Sequence, residues 1–337
     1  MTVAEVAVAP ITFERRPDTY RHWRLTIEEP LAHLSMKVDP TGGMLGDYEL
    51  KLNSYDIGVD IELADAIRRV RFEHPEVRCV VIDSAVEGVF CAGANIRMLA
   101  GASHAHKVNF CKFTNETRLE IEEASSASGL RFLAAINGAC SGGGYELAEA
   151  CDHLVLVDDR ASSVSLPEVA LLGVLPGTGG LTRLTDKRHV RRDHADVFAT
   201  RAEGIQGAEA VTWRLVDEVA PPSTFDVVVH DRALEMASTS DRTPDADAVV
   251  LGPLDRALTA DRVQYRYVAA DLDRARSVVD LTISADADPA WPLTAARELD
   301  DLLCHLRFNE PMLGTIVLRT AGSATDVLVH DDALAAP

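Results

Sequence analysis

Apolar positions along the chain change period several times, and each change marks an element. Trp23 to Ile27 and Leu31 to Val38 are short apolar-rich runs around a Glu28-Glu29-Pro30 turn, which predicts two strands. From Gly58 to Glu73 the spacing is helical, with Ile61, Ala64, Ile67 and Val70 on one face and Pro75 closing the segment. Arg78 to Asp83 and Phe132 to Ile136 are continuous apolar runs and predict buried strands. Helical spacing returns over Ile96 to Ala124, over Tyr145, Leu147, Ala148, Ala150 and Cys151, over Leu181 to Arg214, and over Asp226 to Ala237. Val216 to Val219 predicts a short strand stopped by Pro221-Pro222. Strands alternating with helices give an α/β fold. Residues 1–18 carry no periodicity and read as a loose N-terminal arm, and residues 238–262, which open with STSDRTPDAD, read as a polar linker.

The pattern then repeats. Glu62-Leu63-Ala64-Asp65 returns as Glu298-Leu299-Asp300-Asp301, Arg71-Phe72 as Arg307-Phe308, Pro75 as Pro311, and Val80-Val81-Ile82 as Ile316-Val317-Leu318, all at an offset of 236 residues. Tyr20-Arg21 has a counterpart in Tyr265-Arg266 at a slightly different offset. Matches held in register point to a second copy of the first unit. The expected organisation is therefore a first unit over 19–237 and an incomplete second unit over 263–337, which reads as cut off inside the repeat.

Composition narrows the function. Hydrophobic residues make up 47% of 337, enough for a large core, and the net charge of −20 (33 basic, 53 acidic) argues against a nucleic-acid partner. Neither a membrane-spanning run nor a signal peptide is evident. Six cysteines (79, 91, 111, 140, 151 and 304) lack metal-ligand spacing and read as reduced thiols of a cytoplasmic protein, with no metal site.

The chemistry gathers at two small-residue loops, each after a predicted strand: Cys91-Ala92-Gly93-Ala94 and Ser141-Gly142-Gly143-Gly144. Small residues let backbone approach a ligand closely, and two converging N–H groups can hold an oxygen that gains charge, a contribution of about 2.7–4 kcal/mol. Two carboxylates follow in apolar or glycine-rich surroundings, Glu146 and Glu168. The run Val169 to Leu172 after Glu168 predicts a buried segment. Two such carboxylates in a dry pocket should have separated pKa values, one acid and one base.

FCAGANI (90–96), INGACSGGGYELAEACD (136–152) and LPEVALLGVLPGTGGLTRL (166–184) resemble the crotonase superfamily of enoyl-CoA hydratases and isomerases. The resemblance covers roughly residues 20–237 and implies a crotonase-like spiral of ββα units. It implies an oxyanion hole at the N–H groups of Ala94 and Gly143, with Glu146 and Glu168 handling the protons of water. The segments 50–78 and 106–118 resemble one ring-opening subgroup of longer chains with a second hydratase-like half. That closer likeness implies hydrolytic opening of 2,3-epoxybenzoyl-CoA with two waters, giving 3,4-didehydroadipyl-CoA semialdehyde and formate. In this scheme Glu168 is the general base and Glu146 holds or protonates the second oxygen. Cys111 is a proton donor, a polar contact to the ring, or a core thiol. Ser141, Asn115 and Gly177 are pocket candidates. Ala92 and Leu52 by backbone, and Lys51 and Arg97 by charge, are candidate contacts to coenzyme A. The substrate is itself the coenzyme A thioester, so no separate cofactor is implied, and the family suggests self-association. Tyr145 and Asn95 depart from the family pattern and are expected to reshape the acyl side of the pocket. Two other readings stay open: a hydratase or isomerase for another acyl-CoA, and an inactive fragment that serves assembly.

Overall fold

The computed structural model describes residues 10–46, 48–243 and 246–335. The chain divides into two compact units, one over Arg15–Leu251 and the other over Gly252–Pro337 together with the N-terminal residues up to Glu14.

In the first unit, strands β1 (Trp23–Glu28) and β2 (Leu31–Met36) form an antiparallel hairpin. Helix α1 (Ile57–Glu73) crosses to β3 (Cys79–Ser84), which pairs parallel to β2. The short strand β4 (Gly88–Cys91) and helices α2 (Ile96–Gly101) and α3 (His104–Ser128) follow. The same step recurs: β5 (Arg131–Ile136), β6 (Gly138–Ser141), α4 (Gly143–Ala150), β7 (His153–Val157), β8 (Val164–Ser165), α5 (Glu168–Leu172). The segment then runs through α6 (Gly180–Thr182), α7 (Arg192–Phe198) and α8 (Gly207–Thr212) to β9 (Glu218–Ala220) and α9 (Phe225–Ser238). The main sheet has the order β1-β2-β3-β5-β7-β9, and a small parallel sheet has the order β4-β6-β8. Each chain passage adds one strand to both sheets, so both glycine-bearing loops emerge from neighbouring strands of the small sheet.

The central strands β3, β5 and β7 are largely apolar because both of their faces are covered. Leu31, Val81, Leu133, Ala135 and Val155 pack against Phe225, Val229 and Ala233 of α9. Val80, Ile82, Phe132, Ala134 and Leu154 point the other way and are equally buried. Burying one such side chain is worth roughly 1.5–3 kcal/mol. Beneath the site, the fully buried Arg118 of α3 pairs with Asp60 of α1 at 2.5 Å, fixing the two helices to each other.

The second unit has a five-stranded sheet, β10 (Ala257–Leu258), β11 (Arg262–Gln264), β12 (Val268–Asp273), β13 (Val278–Ser284) and β14 (Thr315–Ala321), in that order. β12 and β13 form a hairpin, α10 (Trp291–Asn309) crosses over, and β14 returns parallel to β13. α11 (Ala324–Ala335) ends the described residues. This is the β1-β2-α1-β3 step again, and the in-register matches of the sequence fall on equivalent positions.

Four boundaries differ from the sequence reading. Residues 1–9 of the expected loose arm lie outside the described residues, but Ile11 is buried and exchanges hydrogen bonds with the Asn309 side chain at 2.8 and 2.9 Å. Two backbone groups satisfied by one amide hold this stretch in the second unit. The stretch expected as a linker is not free up to Leu251. The Arg242 guanidinium donates to the carbonyls of Arg71, His74 and Pro75, capping α1, and Leu251 N–H donates to Glu73 at 2.7 Å. The helix expected over Leu181–Arg214 is broken into short pieces because His189, Gly204 and Gly207 adopt positive φ (55°, 73° and 49°), which helix cannot continue through. The run after Glu168 is not buried: Leu171 and Leu172 are 64% and 44% exposed.

Candidate active site

The two loops meet through backbone. Gly93 has φ of +82°, and a Cβ there would lie 2.8 Å from the Ser141 carbonyl and 2.9 Å from the Gly143 nitrogen. Only a glycine lets the loop carrying Ala94 come this close to the glycine triplet. The connector between β2 and α1 closes the arrangement from a third side. Tyr55 N–H donates to the Gly93 carbonyl at 3.0 Å, Asn95 N–H to the Tyr55 carbonyl at 2.8 Å, and Ala92 N–H to the Leu52 carbonyl at 3.1 Å. Asn53 fastens the connector from within, donating to Ser84 at 2.9 Å and accepting from Val38 N–H at 3.0 Å. Among the described residues, neither the Ala94 nor the Gly143 N–H has a hydrogen-bond acceptor. Amides held rigidly and left without a partner are what an oxyanion site needs.

Glu168 opens the short helix α5, and its Oε1 lies 2.8 Å from where a Gly142 Cβ would stand, immediately before Gly143. Its Oε2 is buried without a hydrogen-bond partner among the described residues. Burial, and secondarily the nearby charge of Glu146, pushes this carboxyl up to about 7. Glu146 is different in kind. It is fully buried, its Oε1 accepts from Thr178 N–H and Gly180 N–H at 2.9 Å each, and its Oε2 accepts from the Thr178 hydroxyl. One carboxylate is therefore locked as an acceptor and the other is left with an open oxygen.

Cys111 on α3 stands 3.3 Å from the position of a Gly177 Cβ, which joins these two candidates, and burial raises its thiol above the ordinary range. Ser141 sits at the foot of the triplet and accepts from the Ser165 hydroxyl at 3.0 Å. Asn115 lies elsewhere: with Glu122, Gly179, Arg183 and Lys187 it lines a groove of about 950 Å³ whose lining includes neither Ala94, Gly143 nor Glu168. Lys51 is exposed and paired with Glu49 at 2.7 Å, and the Arg97 charge also acts on Glu49. Lys51 adjoins Leu52, whose side chain is 63% exposed, and Arg97 is exposed on α2.

The two departures from the family pattern do structural work. The Tyr145 hydroxyl donates to the Leu215 carbonyl at 2.7 Å, and its ring meets Phe198 edge-on at 5.5 Å. Asn95 caps α2 by accepting from Met98 N–H at 2.9 Å, and donates to the Glu49 carbonyl at 2.8 Å. Both side chains are thus engaged within the fold.

Sequence reasoning missed three residues here. Thr178 clamps Glu146 and was signalled only by its place in the PGTGG run. Glu149, one turn after Glu146, is fully buried with both oxygens unpartnered among the described residues, and burial holds it well above the usual carboxyl range. Its helical spacing from Glu146 was visible. Tyr55, inside the LNSYD segment, places its hydroxyl 1.8 Å from where a Gly143 Cβ would stand.

Parallel strands, two small-residue loops, a buried carboxylate and a half-buried one define a class. The family model described as enoyl-CoA hydratase/isomerase matches residues 49–279, and the chain belongs to that family. It is 53% identical over 344 aligned positions, 98% of its length, to benzoyl-CoA-dihydrodiol lyase of Aromatoleum evansii, and it spans 62% of that relative. Among solved structures, it resembles the enoyl-CoA hydratase of Geobacillus kaustophilus HTA426, with 32% identity, a TM-score of 0.57, and coverage of 65% of this chain and 75% of that one. It also resembles the enoyl-CoA hydratase of Bacillus anthracis, with 26% identity, a TM-score of 0.54, and coverage of 65% and 77%.

Proposed function

We propose that the first unit is the catalytic half of a ring-opening lyase for 2,3-epoxybenzoyl-CoA. Two waters are consumed, and 3,4-didehydroadipyl-CoA semialdehyde and formate are released. The observation that carries this reading is the open, unpartnered oxygen of Glu168 beside the free Gly143 amide, in a chain 53% identical to a relative of that activity class. The thioester oxygen lies between the Ala94 and Gly143 N–H groups, and electron density released as the ring opens flows onto it as an enolate. Glu168, poised at about 7, takes a proton from the attacking water and returns it later. Of the two jobs left open for Glu146, holding fits better than protonating, because three donors already point at it. Cys111, kept as a thiol by burial, is a proton donor or a polar contact toward the ring. Lys51 and Arg97 meet the phosphates of coenzyme A by releasing Glu49, and Leu52 and Ala92 offer their remaining backbone groups. Self-association and a cytoplasmic, thiol-reducing location belong to the same reading. No described helix is long and apolar enough to cross a membrane.

The test is formate release from 2,3-epoxybenzoyl-CoA, followed with a formate dehydrogenase couple. Wild type should release one formate per substrate. Glu168→Gln should lose about 10²–10⁴-fold in kcat while keeping its melting temperature. No formate from folded wild type would overturn the lyase reading, and crotonyl-CoA hydration far above ring opening would favour a hydratase for another acyl-CoA.

A further inference from the structure

We propose that Tyr55 is a third donor of the oxyanion site, its hydroxyl completing the pair of amides at Ala94 and Gly143. The inference rests on reading those amides as the oxyanion pair.

Three observations lead to it. Tyr55 is tied to both loops at once. Its backbone is stitched to Gly93 and Asn95 on either side of Ala94, at 3.0 and 2.8 Å. Its hydroxyl abuts Gly143 so closely that a Cβ on that glycine would stand 1.8 Å away. One residue therefore brackets the amide of Ala94 by its main chain and the amide of Gly143 by its side chain.

The ring cannot swing away. Tyr55 is 2% exposed, Phe110 lies against it with ring centroids 5.9 Å apart, and the Arg118 guanidinium, itself locked to Asp60, sits 5.3 Å over its face. A donor fixed in advance loses no rotational freedom when charge develops beside it.

The hydroxyl is also unused. No hydrogen bond joins it to a described residue, and it is not among the side-chain oxygens sealed from solvent without a partner, so the oxygen keeps some contact with open space. The other buried tyrosine of this unit, Tyr145, spends its hydroxyl on the Leu215 carbonyl. A polar group kept free at such a point is kept for a ligand atom. Burial holds the phenol well above its ordinary range, so it stays an O–H donor at any working pH.

The decisive experiment compares wild type with Tyr55→Phe, which keeps the ring and removes only the hydroxyl. The probe is benzoyl-CoA labelled with carbon-13 at the thioester carbonyl, bound to the full chain and observed by isotope-edited infrared spectroscopy. The wild-type carbonyl band should be shifted to lower frequency by three donors, and Tyr55→Phe should move it part of the way back. With 2,3-epoxybenzoyl-CoA, Tyr55→Phe should lower kcat about 10²-fold with KM within about threefold, as removal of one oxyanion donor does. Should the Phe protein fail to fold, 3-fluorotyrosine at position 55, a stronger donor, should shift the band further down. An unmoved band in the folded variant, or kcat within about twofold of wild type, overturns the proposal. The infrared result needs no turnover, so it decides the role of Tyr55 even if wild type releases no formate.

Discussion

The two units share their opening step and differ in the path from hairpin to helix. Each is a hairpin, a helix and a parallel strand, and each is fastened by the same two acidic positions on its helix. In the first, Glu62 accepts the backbone N–H groups of Arg21 and His22 at 2.9 Å each, and Tyr20 donates to Asp65 at 2.5 Å. In the second, Glu298 accepts those of Tyr267 and Val268 at 2.8 and 3.0 Å, and Tyr265 donates to Asp301 at 2.6 Å. The residues that recur in register are thus the ones that hold a helix over the start of a hairpin. What does not recur is the path between hairpin and helix. It runs over residues 37–56 in the first unit and over 285–290 in the second. The long path carries Leu52, Asn53 and Tyr55, the residues that pin the loop of Ala94. After its third strand the first unit continues to the glycine triplet, so β3 is buried between neighbours, whereas β14 has Leu318 70% exposed. The scaffold step is repeated, and the first unit adds to it the long connector and the glycine triplet.

The largest effect should come from breaking the addition. Gly143→Ala would drive a methyl group into the Tyr55 hydroxyl, 1.8 Å away, which must displace either the ring or the amide. Formate release should fall by about 10²–10³-fold, the range for loss of an oxyanion donor. A variant with near-normal kcat would mean that the triplet does not face the reacting carbonyl. A smaller effect should separate the two fasteners. Glu62 uses both oxygens, since Oε1 takes Arg21 N–H and Oε2 takes His22 N–H, while Glu298 serves both donors from Oε2 alone. Glu62→Gln therefore turns an amide N–H toward a backbone N–H and should cost about 1–3 kcal/mol, and Glu298→Gln less. Thermal melts of the two variants check this, and the reverse order would break the parallel between the units.

Much of this comparison was legible before any coordinates. The constant offset found the fasteners because they are compact side-chain patterns on one helix face. The two small-residue loops and the acids Glu146 and Glu168 stood out because small residues and acids in apolar surroundings leave a dense local signal, while the choice of the Ala94 and Gly143 amides came from the family resemblance. The remainder depends on contacts between distant segments. Nothing local in Tyr55 says that its hydroxyl reaches Gly143, 88 positions further on. Apolar Leu171 and Leu172 look like core, since hydropathy does not say which surface a segment ends on. Helical spacing after Leu181 was real but interrupted by positive φ at His189 and two glycines. Asn115 and Cys111 are one helical turn apart, yet they face different neighbours, Gly179 and Gly177.

The most direct test of the central claim, that an open Glu168 works beside the two free amides, is the pH dependence of kcat/KM for formate release. As a base Glu168 must be deprotonated, so activity is absent well below its pKa and present above it. The wild-type profile should rise through a single limb near pH 7, where burial places this carboxyl, and Glu168→Gln should lack that limb. A wild-type profile that is flat or falling across about pH 5.5–8.5 would contradict the account.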